Sequence, residues 1–206
     1  MSPELTVRLV RHGQTRWNRD ARLQGQTARI PLTALGREQA RSVAEALVGC
    51  GAVAVYSSDL RRAADTARLI SRRIGVPVRR EPDLREQALG TLEGRRFADI
   101  WGRPDSPGGT DPDWRAPGGE SAAEVYARLR RLFARLRNDH PGASVIVVTH
   151  GDTGRIALGL LRGHPVSRIP QTVLGNGEVV TVEVHRALQL AVADPPTDSV
   201  AAGWRR

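Results

Sequence analysis

Ser144-Val145-Ile146-Val147-Val148 is the most continuous apolar β-run in the chain. It has no polar–apolar alternation, so as a strand it must be covered on both faces. That requirement excludes a sheet with one wet face and demands helices above and below. Segments with a 3.6-residue apolar period are present to supply them. Ala40, Val43, Ala44 and Leu47 recur at this spacing in a helix from about Ala34 to Val48 that Thr33 can cap. Leu60, Ala63, Ala67 and Ile70 do so in a helix capped by Ser57 or Ser58. Val125, Leu129, Leu132 and Leu136 follow the capping-box pattern Ser121-Ala122-Ala123-Glu124 and continue to about Asn138. Ile156, Leu160 and Leu161 mark a further helix. Shorter apolar runs at Leu5 to Val10, Ala52 to Tyr56, Val76 to Arg79 and Glu178 to Val184 read as strands, the last near a sheet edge. The alternation predicts an α/β fold: a three-layer domain with a mostly parallel central sheet flanked by helices.

The 206 residues suit one domain. It is expected to span residues 1–193, followed by a loose tail over 194–206 that carries Pro195, Pro196 and Trp204. An irregular stretch from about 82 to 120 gathers five prolines, seven glycines, Trp101 and Trp114, and reads as a lid.

Fixed positive charge comes from arginine alone. All 31 basic residues are arginine, against 22 acidic ones, giving a net charge of +9. Without lysine there is no Schiff-base chemistry, no pyridoxal phosphate anchor and no phosphate-loop lysine. An anion must be held by guanidinium forks. Nucleic-acid binding is not expected, because aromatics make up only 4% of the chain and no stacking stripe accompanies the charge. One cysteine, Cys50, excludes an intrachain disulfide framework. No apolar run approaches the roughly 18 residues that span a bilayer. Nor does Met1-Ser2-Pro3-Glu4 have the pattern of a secretion signal. The expectation is a cytoplasmic protein without membrane contact. A homodimer is left open.

Two strands far apart in sequence end alike: Val10-Arg11-His12-Gly13 and Val148-Thr149-His150-Gly151. Ligands of parallel sheets bind at the carboxyl ends of strands, so both histidines point to one crevice. His140, His164 and His185 read as structural. A metal held by this pair with Asp152 is a weaker alternative, since the carboxylate spacing is absent. The strand ending at Tyr56 leads into Arg61 and Arg62 in a first helical turn, where positive charge is disfavoured unless an anion sits there. Arg11, Arg62 and that helix terminus then form a site for phosphate or carboxylate.

Leu9-Val10-Arg11-His12-Gly13-Gln14-Thr15-Arg16-Trp17-Asn18 closely resembles the Arg-His-Gly signature of the histidine phosphatase superfamily, the phosphoglycerate mutase-like enzymes. The resemblance continues through Pro31–Gly36, Ser58–Ala67, Leu84–Gly94, Pro117–Ser121 and Val148–Gly151, in order, over most of residues 5 to 160. It implies that His12 takes the phosphoryl group and passes it to water. Arg11, Asn18, Arg62 and His150 would bind the phosphate oxygens. Glu86 would protonate the leaving oxygen, a role that the residues alone do not assign in preference to Glu93 or Glu120. Neighbouring guanidinium charge keeps a nucleophilic histidine neutral. Gln24, Gly151, Trp101 and Trp114 are candidate substrate contacts, with Arg103 and Arg115 also in the lid.

The family usually carries an Asp shortly before the Pro-Leu-Thr block; here Gln26-Thr27-Ala28-Arg29-Ile30 stands instead. The resemblance implies a phosphatase acting on a small phosphorylated metabolite, with no metal and no cofactor. The alternative is a phosphoglycerate mutase primed by 2,3-bisphosphoglycerate. A catalytically inactive binding protein ranks third.

Overall fold

The computed structural model describes residues 4–101, 111–172 and 174–184. In chain order the elements are β1 (Leu5–Arg11), α1 (Arg16–Arg19), α2 (Ala34–Ala46), β2 (Ala52–Ser57), α3 (Arg61–Ile74), β3 (Val78–Arg80), α4 (Phe97–Ile100), α5 (Ala122–Asp139), β4 (Ser144–Thr149), α6 (Gly151–Leu161) and β5 (Val179–Val184). The expected tail, Arg103 and His185 lie outside the described residues.

The five strands form one sheet in the order β3-β2-β4-β1-β5. β4 pairs in parallel with β1 on one side and β2 on the other, as its unbroken apolar run requires. β5 closes one edge antiparallel to β1.

Alternating residues divide the core into two. Leu5, Val7 and Leu9 of β1, Ala54 and Tyr56 of β2, and Val145 and Val147 of β4 pack with α5 and α6 around Leu129, Leu132, Phe133, Ile156 and Leu160. Val10, Val55, Ile146 and Val148 point the other way, to Val43, Ala44 and Leu47 and to Ala63, Ala67 and Ile70 of α3. A period of two in the strands thus meets two helix pairs with a period of 3.6. This is the three-layer α/β fold read from the sequence.

Three local expectations are corrected. α2 ends at Ala46, and Val48 lies exposed beyond it. The third strand occupies Val78–Arg80 rather than Val76 to Arg79. The N-cap of α3 is Leu60, with no side-chain cap, rather than Ser57 or Ser58. The backbone carbonyl of Ala28 takes the Arg61 N–H instead, at 3.1 Å, and the Ser58 hydroxyl is engaged across the sheet. The described part of the 82–120 stretch is irregular as expected, with short 3-10 turns at Pro82–Leu84 and Gly90–Leu92. Its beginning is built into the domain, since Leu84 is fully buried in the core with Glu86 and Gln87 buried beside it.

Candidate active site

The parallel pairing of β1 with β4 sets Arg11 opposite Thr149, and the next residue on each strand is a histidine. His12 N–H donates to Thr149 O at 3.0 Å, and the two imidazole rings meet edge to face with centroids 5.1 Å apart. Both histidines are buried.

Gly13 lets the chain turn sharply after His12. A Cβ on Gly13 would stand 2.1 Å from Gly36 O, and one on Gly36 would stand 2.0 Å from Gln14 O. The backbone after the strand therefore lies directly against the start of α2, which explains glycine at both positions. Thr66 Oγ1 accepts the Gly13 N–H at 3.2 Å.

The hydrogen bonds define the protonation of each ring. His12 Nδ1 lies 2.7 Å from Gly13 O, which can only accept, so Nδ1 carries the hydrogen and Nε2 presents a lone pair. Burial, and then the Arg62 charge, hold the His12 pKa well below its ordinary 6.5; Arg11 adds to this. His12 is therefore neutral near neutral pH, with the lone pair on Nε2. His150 is held low by the same causes, burial first and then Arg62. Its Nδ1 accepts from Arg62 Nε at 3.1 Å, so its hydrogen sits on Nε2, 2.8 Å from Ser58 Oγ. Both ring nitrogens of His150 are thus engaged by the protein. A direct phosphate contact at Nε2, as the family resemblance implies, requires a phosphoryl oxygen to replace the Ser58 hydroxyl.

Arg62 is fully buried in the first turn of α3. Its terminal nitrogens donate to Gly25 O at 2.7 Å and Thr27 O at 2.9 Å. Three of its five N–H groups are so used, and one on each terminal nitrogen remains for an anion. Burial lowers its pKa to about 10, opposed by the charges of Glu86 and Glu93, and it stays cationic at neutral pH. The loop that departs from the family pattern is thus what holds this arginine. The loop is itself anchored by Glu93, which accepts from Gln26 N at 2.8 Å and Thr27 Oγ1 at 2.7 Å.

Arg11 donates from Nη1 to Leu174 O. Its buried Nε has no hydrogen-bond partner among the described residues. Asn18 belongs to a capping box with Thr15 at α1, its Oδ1 accepting Thr15 N–H at 3.0 Å. Thr15 Oγ1 is also 3.0 Å from Gln24 Oε1, which brings Gln24 to the same cluster. Asn176, which the sequence reading passed over, reaches in from the loop before β5. Its Nδ2 donates to His12 O at 3.1 Å and approaches Asn18 Oδ1 at 3.4 Å.

Glu86 rests on the N-terminus of α6, which begins at Gly151. Its carboxylate accepts from Asp152 N at 3.2 Å and Thr153 N at 2.9 Å, and Thr153 Oγ1 lies 3.0 Å from the same oxygen as the latter. Exposed helix N–H groups suit a carboxylate there. Desolvation raises Asp152 to about 6, and the Glu86 charge adds to this, against the pull of Arg155 and Arg11.

Trp101 and Trp114 pack edge to face with centroids 6.3 Å apart, and Trp101 also stacks obliquely on Phe97 at 5.4 Å. These ring contacts link Phe97 and Trp101 to Trp114 within the irregular segment. Among the described residues, no group of three or more His, Cys, Asp and Glu side chains could hold a metal ion. No helix among them is long and apolar enough to cross a membrane.

The family model described as the histidine phosphatase superfamily (branch 1) matches residues 7–192. Glucosyl-3-phosphoglycerate phosphatase of Mycobacterium tuberculosis (strain ATCC 25618 / H37Rv) is 36% identical over 211 residues, covering 96% of this chain and 90% of its own. A protein named "Probable phosphoglycerate mutase GpmB" from Enterobacter sp. (strain 638) is 40% identical over 163 residues, covering 76% of this chain and 73% of its own. The solved structure of a mycobacterial glucosyl-3-phosphoglycerate phosphatase with VO3 matches with a TM-score of 0.77 at 36% identity, over 85% of this chain and 90% of that one. A phosphoserine phosphatase mutant from Entamoeba histolytica with phosphoserine matches with a TM-score of 0.72 at 26% identity, over 86% and 89%.

Proposed function

The chain belongs to the histidine phosphatase superfamily, and we propose that it hydrolyses a small phosphoric monoester through a phosphohistidine on His12. The observation that carries this reading is the Nδ1–Gly13 O bond, which commits the His12 hydrogen to the far side of the ring and leaves Nε2 bare.

In the first step the Nε2 lone pair forms a bond to phosphorus as the bond to the ester oxygen breaks. Protonated Glu86 passes its proton to that oxygen, and the alcohol leaves. In the second step Glu86, now a carboxylate, takes a proton from water as the water oxygen attacks phosphorus. The P–N bond breaks, His12 is restored and inorganic phosphate departs. Arg11 and Arg62 hold the equatorial oxygens throughout, with Asn18 and His150 as neutral donors. This route uses no metal and no organic cofactor.

The named phosphatases among the relatives support hydrolysis, and they act on sugar-acid and amino-acid phosphates by name. The lysine-free chain offers only guanidinium charge to such anions. A single cysteine fits action in the cytoplasm. The second reading, a phosphoglycerate mutase, draws on the relative named as one. It would return the phosphoryl group to a sugar acid and require priming by a bisphosphorylated form.

Two measurements test the reading. Rapid quenching during turnover of a labelled phosphomonoester should trap acid-labile phosphate on wild-type protein and none on His12→Ala. Label retained by the variant would overturn the assignment. Release of inorganic phosphate from 3-phosphoglycerate without formation of 2-phosphoglycerate separates phosphatase from mutase, and efficient interconversion primed by 2,3-bisphosphoglycerate would select the second reading.

A further inference from the structure

Glu86 stands on irregular backbone, yet that backbone is held at every carbonyl. Arg128 of α5 is buried, and its guanidinium reaches through the domain to the segment 83–86. Nη1 donates to Asp83 O, and Nη2 donates to Arg85 O at 2.8 Å and Glu86 O at 3.3 Å. Between them, Thr149 Oγ1 donates to Leu84 O at 2.8 Å and Thr153 Oγ1 to Arg85 O at 2.8 Å.

The guanidinium is itself anchored. Nε and Nη2 lie 3.1 and 3.2 Å from the Glu120 carboxylate oxygens. The same carboxylate accepts Ala88 N–H at 2.9 Å, two residues past Glu86, and Gln26 Nε2 at 3.1 Å. One planar cation therefore ties both flanks of Glu86 to a single helix.

We propose that Arg128 is a positioning residue for acid–base catalysis: without touching substrate, it aims the Glu86 carboxylate at the leaving oxygen by clamping the carbonyls of Asp83, Arg85 and Glu86. A proton donor must be held within a few tenths of an ångström of its productive place, and a loop reaches that precision only through supporting hydrogen bonds. A buried ion pair is by itself weak evidence of stabilisation, so stability alone is a poor explanation for this arrangement. The proposal rests on the reading of Glu86 as proton donor.

The test uses leaving-group dependence. An alkyl phosphate needs a proton on its departing oxygen, whereas 2,4-dinitrophenyl phosphate expels a stable anion without one. The ratio of kcat/KM for glycerol phosphate to kcat/KM for dinitrophenyl phosphate, read in a single preparation, does not depend on the fraction of folded protein. Arg128→Met should lower this ratio about tenfold or more, Arg128→Lys less, and Glu86→Gln by about a hundredfold. An unchanged ratio in Arg128→Met, alongside a fallen ratio in Glu86→Gln, would overturn the proposal and leave the Glu86 reading intact. An unchanged ratio in Glu86→Gln would instead overturn the Glu86 reading, and the proposal with it. Should Arg128→Met yield no folded protein, Arg128→Lys and Glu120→Gln carry the same test, because each loosens the clamp while keeping a polar group in place.

Discussion

Arg62 Nε donates to His150 Nδ1 across 3.1 Å, joining the first turn of α3 to the end of β4. Beside the phosphate-holding role proposed for Arg62, the bond gives it a second one, because it fixes which nitrogen of His150 carries the hydrogen. Lysine keeps the charge but cannot reach His150, Gly25 O and Thr27 O together. Arg62→Lys should therefore lower kcat/KM about a hundredfold or more. Steady-state kinetics with inhibition by inorganic phosphate checks this. Loss below about fivefold, with phosphate affinity intact, would show that charge alone suffices.

Gly36 tests the close approach behind His12. Its substitution by alanine drives a methyl to 2.0 Å from Gln14 O, a backbone atom that cannot rotate away. The expected cost is about 2–3 kcal/mol, typical of overpacking. The displaced turn should also lower activity. A denaturant midpoint equal to that of wild type would contradict the close packing.

The layers were legible because burial follows short-range periods. β4 reads as buried on both faces, and the helix stripes select their own sides of the sheet. The paired His-Gly endings likewise pointed to one crevice, and the β1–β4 register places the two histidines side by side. Ser58 reads as a helix cap because a serine before a helix has that local meaning, yet its hydroxyl takes only the N–H of Leu60, the N-cap residue itself, at 3.2 Å. Its second partner, His150, is 92 residues away. Asn176 stands between two glycines and reads as a turn residue, with nothing local to suggest its contact with His12. Arg128 lies beside the apolar stripe of α5, and nothing local in the sequence pairs its guanidinium with residues 83–86. Long-range side-chain pairing leaves no periodic trace, and so these roles emerged only from the fold.

Asn176 offers a direct measure of such a contact. Alanine there removes the bonds to His12 O and Asn18 Oδ1. The expected loss of stability is about 1 kcal/mol, that of ordinary hydrogen bonds. Activity should fall further than stability, by about tenfold, because both partners belong to the site. Proportionate small losses in melting and in kcat/KM would reduce Asn176 to a structural role.

The two buried histidines also predict how the fold responds to acid. His12 and His150 have pKa values well below 6.5 in the folded state, whereas the unfolded chain titrates near 6.5. Below about pH 6.5 the unfolded state therefore binds protons that the folded state does not, and stability falls as pH falls. Two such groups give a limiting slope of about 2.7 kcal/mol per pH unit. Asp152 works in the opposite direction. Raised to about 6 in the fold, it gains a proton between roughly pH 6 and 4 that the unfolded chain does not yet hold. Its side chain is 45% exposed, so solvent weakens this opposing contribution. Urea midpoints measured from pH 7.5 to 5 should decline, and they should decline more steeply in Asp152→Asn. A wild-type profile flat across that interval would mean that the two histidines charge inside the fold, which contradicts the neutral His12 that the proposed mechanism needs.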